Sequence, residues 1–495
     1  MKLETVADRR LHPATFLIRT IRALPQYVVG LPALVGIASE AGIAILLLVS
    51  VAGLGLAALG AWLYWQRFRY GVGRTELVIE SGILHRQRRV IPFDRIQDID
   101  IEQGLLARLF GTAKVKIETG GGAKDEGDLD SVALQDARRL RDHLRKAAAA
   151  ASDGAIAWEA AEPPADEEPV LFQMDLGRVL LAGLFNFSLF YLAFIFGALE
   201  WMEALFGFDP LKMEWVEPAR ALAVQATWGL TALAALLVIL LGIIAGVLRT
   251  LSRDFNFRLT RSPAGFRRRR GLFTLSEVMI PLRRVQVSVI RSGLLARRFG
   301  WFRLEFQTLS ADAGKIGHQV AAPFARMDEV RSVLAEVSPA ELPPEHAYQR
   351  VSMRHIVRQS LRWTMWLALP LLVLTLRWRP GLYLLLALPL VAAAAALQWR
   401  HHRYYLSDLH AYVQGGLFTR KLWIVPYERI QALSVDRGPL QRRLGLATLA
   451  IDTAGASSFG GVHITSLPAP DAEGLAERLI GSHRQARARL KGGNA

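Results

Sequence analysis

Three stretches of the chain can be laid over one another without a gap, and this internal repeat constrains the fold more than any other feature. Each carries Gly, then Pro ten residues on, Arg three later, Gln two later, Gly seven later, Gly after seven more and Thr eight beyond. The positions are Gly82, Pro92, Arg95, Gln97, Gly104, Gly111 and Thr119; Gly271, Pro281, Arg284, Gln286, Gly293, Gly300 and Thr308; Gly416, Pro426, Arg429, Gln431, Gly438, Gly445 and Thr453. Recurrence at fixed offsets in three copies means duplication rather than chance. The length of 495 residues agrees, since about 150 residues per domain allows three.

The residues between these marks predict β structure. Val115, Ile117 and Thr119 alternate with Lys114, Lys116 and Glu118; Leu304, Phe306 and Thr308 alternate with Arg303, Glu305 and Gln307; Leu449, Ile451 and Thr453 alternate with Thr448, Ala450 and Asp452. Period two belongs to a half-buried strand. The first glycine opens a turn between strands, and the proline, lacking an N–H, ends ladder pairing. The two later glycines bracket one helical turn, and each copy closes with an amphipathic helix: 132–144, 327–337 and 472–480. Copy two departs most, with Ser276 and Glu277 entering a strand and Ser288 standing where the others have Ile99 and Leu433.

Each copy follows a pair of charge-free apolar runs: 23–39 and 41–66, 179–199 and 221–248, 363–376 and 380–399. About 20 apolar residues span a bilayer, so the expectation is an α+β membrane protein with six transmembrane helices in three hairpins. Lys and Arg gather on the N-terminal side and after each hairpin, which by the positive-inside rule places both termini and all three domains in the cytoplasm. The expected layout is an N-terminal segment and hairpin (1–66), domain one (67–146) and a flexible Ala-rich, acidic linker with Pro163 and Pro164 (147–170). A second hairpin (171–248), domain two (249–338), a third hairpin (349–399) and domain three (400–484) follow.

The pattern of glycine and apolar pair, Pro-x-x-Arg, Gln and paired glycines after an apolar hairpin resembles the bacterial pleckstrin-homology (PH) domain membrane proteins, over nearly the whole chain. The resemblance implies a curved seven-stranded β-barrel or sandwich capped by a C-terminal helix in each copy, at the bacterial inner membrane. It also implies a non-enzymatic scaffold or accessory role in binding a partner protein or anionic lipid, loosely in envelope stress or peptide tolerance. A smaller single-domain relative or a second copy is the expected protein partner. The rival reading is a lipid or small-molecule transporter with PH-like regulatory domains.

Lys and Arg outnumber Asp and Glu by 60 to 44, and the excess is concentrated: copy two carries +10 over 253–308, against +1 over 72–119 and +2 over 404–453. The uninterrupted run Arg267, Arg268, Arg269 and Arg270, with Arg258 and Arg261 upstream, suits phosphate or carboxylate groups bidentately. In PH domains outside bacteria a basic hairpin near the first strands receives lipid headgroups, so the resemblance makes this run the candidate anionic-lipid site. Arg350, Arg354, Arg358 and Arg362 recur every four residues and are expected at the membrane interface on one helical face. The repeated Arg and Gln (Arg95 and Gln97, Arg284 and Gln286, Arg429 and Gln431) are read as an architectural pair on one strand face.

Zero cysteines exclude disulfides, thiolate metal sites and cysteine nucleophiles. No phosphate-binding loop, zinc-protease helix or nucleophile elbow occurs, and no nucleic-acid motif accompanies the basic balance. No catalytic residue, metal site, cofactor or nucleic-acid partner is expected.

Overall fold

In the computed structural model the repeated residues meet backbone demands one by one. Gly82, Gly271 and Gly416 have φ of +111°, +114° and +111°. A Cβ on each would lie 1.8, 1.9 and 2.0 Å from the carbonyl oxygens of His85, Thr274 and Thr419, so only glycine makes this hairpin turn. Pro92, Pro281 and Pro426, with φ of −62°, −65° and −64°, lead into the 3₁₀ turns Phe93–Arg95, Leu282–Arg284 and Tyr427–Arg429. The repeated Arg therefore ends a 3₁₀ turn instead of sharing a strand face with Gln. The short helices Leu105–Leu109, Leu294–Arg298 and Pro439–Arg443 follow Gly104, Gly293 and Gly438. Gly111, Gly300 and Gly445 close them at φ of +63°, +72° and +64°.

The structure describes residues 7–24, 43–83, 85–119, 127–151, 168–186, 228–308, 317–338, 341–377, 388–454 and 461–492. The first repeat contributes β1 (Arg9–Arg10), β2 (Arg69–Val72), β3 (Glu76–Ser81), β4 (Gln87–Pro92), β5 (Ile96–Gln103), β6 (Thr112–Thr119) and β7 (Gly127–Ala133). The second contributes β8 (Val170–Gln173), β9 (Arg258–Ser262), β10 (Gly265–Arg270), β11 (Leu275–Ile280), β12 (Val285–Ser292), β13 (Phe302–Thr308) and β14 (Gly317–Ala325). The third contributes β15 (Gln349–Arg350), β16 (Arg403–Leu406), β17 (His410–Gly415), β18 (Arg420–Pro426), β19 (Ile430–Asp436), β20 (Leu446–Thr453) and β21 (Val462–Pro468). Leu134–Ala151, Met327–Ala335 and Ala469–Gly492 are the helices that end the repeats.

Sheets cross the repeat borders. β5 of repeat one pairs with β11 of repeat two, giving the order β7-β6-β5-β11-β10-β9-β8. In the same way β12 of repeat two pairs with β18 of repeat three, giving β14-β13-β12-β18-β17-β16-β15. A four-stranded sheet, β1-β2-β3-β4, and a three-stranded one, β19-β20-β21, remain.

The chain divides into two compact units, Met1–Met279 and Ile280–Ala495, with the division inside the segment 249–338. In the first unit Leu77, Ile91, Ile99, Val115, Ile117 and Leu129 from the strands and Phe93 from the 3₁₀ turn pack with Leu140 and Leu144 from the closing helix. Leu144 is fully buried there, and a side chain of that kind contributes about 1.5–3 kcal/mol of transfer free energy. The second unit has its own core, in which Val289, Val413, Val425, Tyr427, Leu449 and Ile451 meet Leu475 and Leu479.

Each repeat opens with a short strand ahead of its first helix, a feature the sequence reading did not anticipate: β1 pairs with β2, β8 with β9 and β15 with β16. In repeats one and three a tryptophan fastens this strand, Trp65 Nε1 donating to the Leu11 carbonyl and Trp399 Nε1 to that of Val351, each at 2.9 Å.

Six transmembrane helices in three hairpins are not supported. Among the described residues one helix, Trp228–Asp254, contains a stretch long and apolar enough to cross a membrane, Leu236–Asp254, and 17% of that window is buried. The run 41–66 forms the 25-residue helix Ile43–Arg67, but a charge-free run need not be a helix of spanning length. Leu176–Phe185 has 10 residues, short of the roughly 20 that 30 Å of hydrocarbon requires. Arg354–Arg377 is 24 residues long but carries Arg358 and Arg362 in its first half. The run 23–39 lies outside the described residues apart from its first two positions, as do 187–199, 221–227 and 380–387, and most of the expected linker 147–170.

Leu176–Phe185 packs on Trp228–Asp254 through small residues. A Cβ on Gly183 would lie 2.6 Å from the Val247 Cα, and one on Gly246 would lie 2.8 Å from the Asn186 carbonyl oxygen. Asn186 Nδ2 donates to Thr250 Oγ1 at 3.1 Å across this close approach.

Candidate functional site

The arginine run of repeat two lies along β10, whose alternation splits it between two faces. Arg267 and Arg268 are buried, Arg269 is exposed and Arg270 is half-buried. Arg267 Nη2 sits 3.2 Å from Oε1 of the fully buried Glu168, whose other oxygen accepts from Thr260 Oγ1. Arg270 Nη1 reaches Asp254 Oδ1 at 3.2 Å. Burial, and then the neighbouring Arg270, push Arg268 down to about 9, against the pull of Asp100. Upstream, Arg261 donates to the Ser262 carbonyl and lies over the Phe266 ring, and Arg258 is half-buried. The six arginines are thus not gathered into one open cluster, and Arg269 is the one whose side chain is exposed.

What β10 leads into is a hairpin tip held against the end of the apolar helix. The Gly271 N–H donates to the Phe255 carbonyl at 2.9 Å and the Leu272 N–H to that of Ser252 at 3.0 Å. With the Arg270–Asp254 pair, these contacts dock the turn Gly271–Thr274 where Trp228–Asp254 ends. The tip then presents Phe273, 51% exposed. Repeat three builds the same feature: His401, last residue of Leu388–His401, meets the Gly416 carbonyl through Nδ1 at 3.3 Å and the Arg420 guanidinium through Nε2. Its tip presents Phe418, 69% exposed. Repeat one carries Ile83 beside Gly82, 37% exposed.

Aromatic rings and guanidinium groups at the end of an apolar helix form the combination that sits at a membrane–water boundary, where an apolar body and a charged head each find their own medium. Sequence reasoning passed over Phe273 and Phe418. The available signal was the identical tetrapeptide Gly-Leu-Phe-Thr at 271–274 and 416–419, an apolar pair where a hairpin turn ordinarily carries polar residues.

The second arginine series is divided too. Arg350 lies on β15 over the Trp399 ring, whereas Arg354, Arg358 and Arg362 follow one another along Arg354–Arg377. Arg354 Nη1 donates to the Leu444 carbonyl at 2.9 Å, tying the start of this helix to the end of a short one.

The repeated Pro, Arg and Gln come together where β12 meets β18. Gln286 from repeat two, with Pro426 and Arg429 from repeat three, lines a cavity of about 40 Å³ that also has Ser338, His410 and Glu428 on its wall. Gln286 Nε2 donates to the Arg284 carbonyl at 3.2 Å, and Ser338 Oγ lies 2.7 Å from His410 Nε2. Burial lowers the His410 pKa, and Glu428 faces Arg429 at 3.3 Å. Such a volume is enough to hold water. Arg95 is exposed, Gln431 is exposed, and the Gln97 side chain lies outside the described residues.

The first joint, between β5 and β11, explains the oddities of copy two. Glu277 Oε1 accepts from Arg141 Nη1 at 2.7 Å, so the closing helix of repeat one reaches the strand of repeat two. Ser288, the other departure, lies inside the second joint opposite Ile424.

Three repeats of four plus three antiparallel strands, each closed by a helix and connected to apolar helices, define a tandem PH-type protein of the membrane. Comparison with known proteins agrees: the bacterial PH domain family matches residues 20–148, 176–341 and 366–482, and the chain belongs to that family. It is similar to the UPF0699 transmembrane protein YdbT of Bacillus subtilis (strain 168), 21% identical over 423 residues, covering 82% of this chain and 84% of that one. A shorter relative, the UPF0699 transmembrane protein YdbS of the same organism, is 34% identical over 86 residues, 17% of this chain and 52% of its own. No solved structure matches the chain. The relatives and the exposed apolar helix together make this a membrane-associated protein.

Proposed function

We propose that the chain is a non-enzymatic, membrane-anchored scaffold whose PH-type repeats rest on an anionic leaflet through their hairpin tips. The observation that carries this reading is the Gly-Leu-Phe-Thr turn of repeats two and three, docked at the end of an apolar helix with its phenylalanine exposed and arginine beside it. Phe273 and Phe418 supply the apolar contact. Arg269, the exposed arginine of the run, supplies charge, a basic residue near an anionic surface contributing about 1 kcal/mol. In this reading the end of Trp228–Asp254 that carries Arg249 and Arg253 faces the cytoplasm.

The test uses the absence of cysteine. Phe418→Cys, labelled with an environment-sensitive dye in the full chain reconstituted into phosphatidylglycerol-containing vesicles, is expected to show blue-shifted emission quenched by spin-labelled lipid. Asp328, whose side chain is 94% exposed, gives the water-facing reference as Asp328→Cys. Emission from position 418 indistinguishable from that reference defeats the proposal.

A further inference from the structure

The chain makes the same joint twice, and the register is the same in both. Leu275, Ser276 and Glu277 of β11 stand opposite Gln103, Glu102 and Ile101 of β5. Arg420, Lys421 and Leu422 of β18 stand opposite Ser292, Arg291 and Ile290 of β12. Counted from the repeated proline and glutamine, these are equivalent residues: the sixth before Pro281 or Pro426 faces the sixth after Gln97 or Gln286. A joint therefore takes one strand of the β4, β11, β18 type and one of the β5, β12, β19 type.

Three repeats hold three strands of each type, and two joints use two of each. Among the described residues what remains is β4, at one edge of β1-β2-β3-β4, and β19, at one edge of β19-β20-β21. Burial marks both as uncovered versions of joint strands. Along β12 seven of eight residues are buried, and Ile99 and Ile101 of β5 are buried, whereas on β19 Gln431, Ala432, Ser434 and Asp436 are exposed. Leu433 and Val435, at the places of Ile99 and Ile101, are only half-buried. Likewise Gln87 and Arg88 of β4 are exposed where their equivalents, Ser276 and Glu277 of β11 and Lys421 and Leu422 of β18, are half-buried.

We propose that β4 of one copy of this chain adds antiparallel to β19 of a second copy, repeating between molecules the joint that each molecule makes within itself. The occupant is a second copy because the two edges carry complementary halves of one joint, so neither needs a different kind of strand. Keeping the common register puts Gln87 opposite Asp436, Arg88 opposite Val435, Arg89 opposite Ser434 and Val90 opposite Leu433. Arg89, opposite Ser434, then lies diagonal to Asp436, the one acid on β19. The backbone ladder supplies the attachment, as in strand addition generally, and covers two edges that would otherwise be open to indiscriminate pairing. The contact is heterologous, so it either closes a ring or propagates.

Because the chain has no cysteine, the register can be read directly. Two differently tagged full-length chains, one with Gln87→Cys and one with Asp436→Cys, are co-expressed and oxidised in native membrane. Both positions are exposed, so neither substitution disturbs a core. The expected product is a disulfide-linked species of twice the chain mass carrying both tags. Pairing Gln87→Cys with Val435→Cys, which points to the other face, should lower the yield about tenfold. Equal yields from the two pairs, or none from either, overturn the proposal. So does a disulfide formed within one chain when it carries both substitutions, or a detergent-solubilised chain that is monomeric and holds a one-repeat bacterial PH chain at these edges.

Discussion

Gly271 is tied to one backbone state by two independent constraints. Its φ of +114° is one that L side chains rarely adopt, and the Thr274 carbonyl oxygen fills the place a Cβ would take. Gly293, twenty-two residues on and equally repeated, has an ordinary φ of −70° and nothing within 4 Å of the Cβ position. The two glycines are indistinguishable in the repeat pattern and opposite in their demands. Gly271→Ala is therefore expected to destabilise the protein by more than about 1 kcal/mol. Gly293→Ser, at a helix N-cap where serine is favoured, should change stability by no more than a few tenths of that. Thermal melts of the full chain in detergent, followed by tryptophan fluorescence, measure both; equal losses would mean that the turn relaxes around a side chain. Marks of this local kind were legible in the sequence because a proline or a left-handed glycine states its requirement within a few residues.

Between elements, the sequence stated which side chains alternate but not which strand lies alongside. Glu277 stood out as an acid entering a strand of the arginine-rich copy, and its reason, Arg141, lies 136 residues away on the closing helix of the preceding repeat. The arginine run misled in the same way: four adjacent cations read as an open patch until Glu168 and Asp254 were brought beside them. Burial alone would raise the Glu277 pKa, but the Arg141 guanidinium, with Arg267 and Arg269, outweighs it and holds the carboxyl below its usual range. A depressed carboxyl pKa means that the unfolded chain binds the proton more readily, so stability falls with falling pH. The contribution is complete above the ordinary glutamate value of about 4.3 and is lost as pH drops through the lower folded value. Glu277→Gln should lower stability at pH 7 by on the order of 1–3 kcal/mol and flatten the acid limb of the stability curve. Chemical denaturation between pH 3 and pH 7 checks it; an unchanged acid limb would show that other carboxylates set it.

The molecule as a whole is not three independent domains on a string. Repeat two is the clearest case, since its β11 is paired by β5 of repeat one and its β12 by β18 of repeat three. The repeat period marks units of duplication, whereas the sheets mark units of folding, and the two are out of phase by half a repeat. Duplication can produce this arrangement without new residues, because a strand edge that serves one neighbour serves any copy of it. The consequence is that the segment 249–338, complete as a repeat, lacks both strands that cover its joint edges. Expressed alone, it is expected to self-associate or aggregate, its β11 and β12 finding in other copies what β5 and β18 provide in the intact chain. Val289 and Ile290, 0% and 4% exposed in the full protein, lie on the strand that would be bared. Light scattering coupled to size exclusion measures the outcome. A monodisperse, cooperatively melting monomer of 249–338 would show that the joints add stability to a repeat already able to fold, and that the sheet, like the repeat, can be cut at its border.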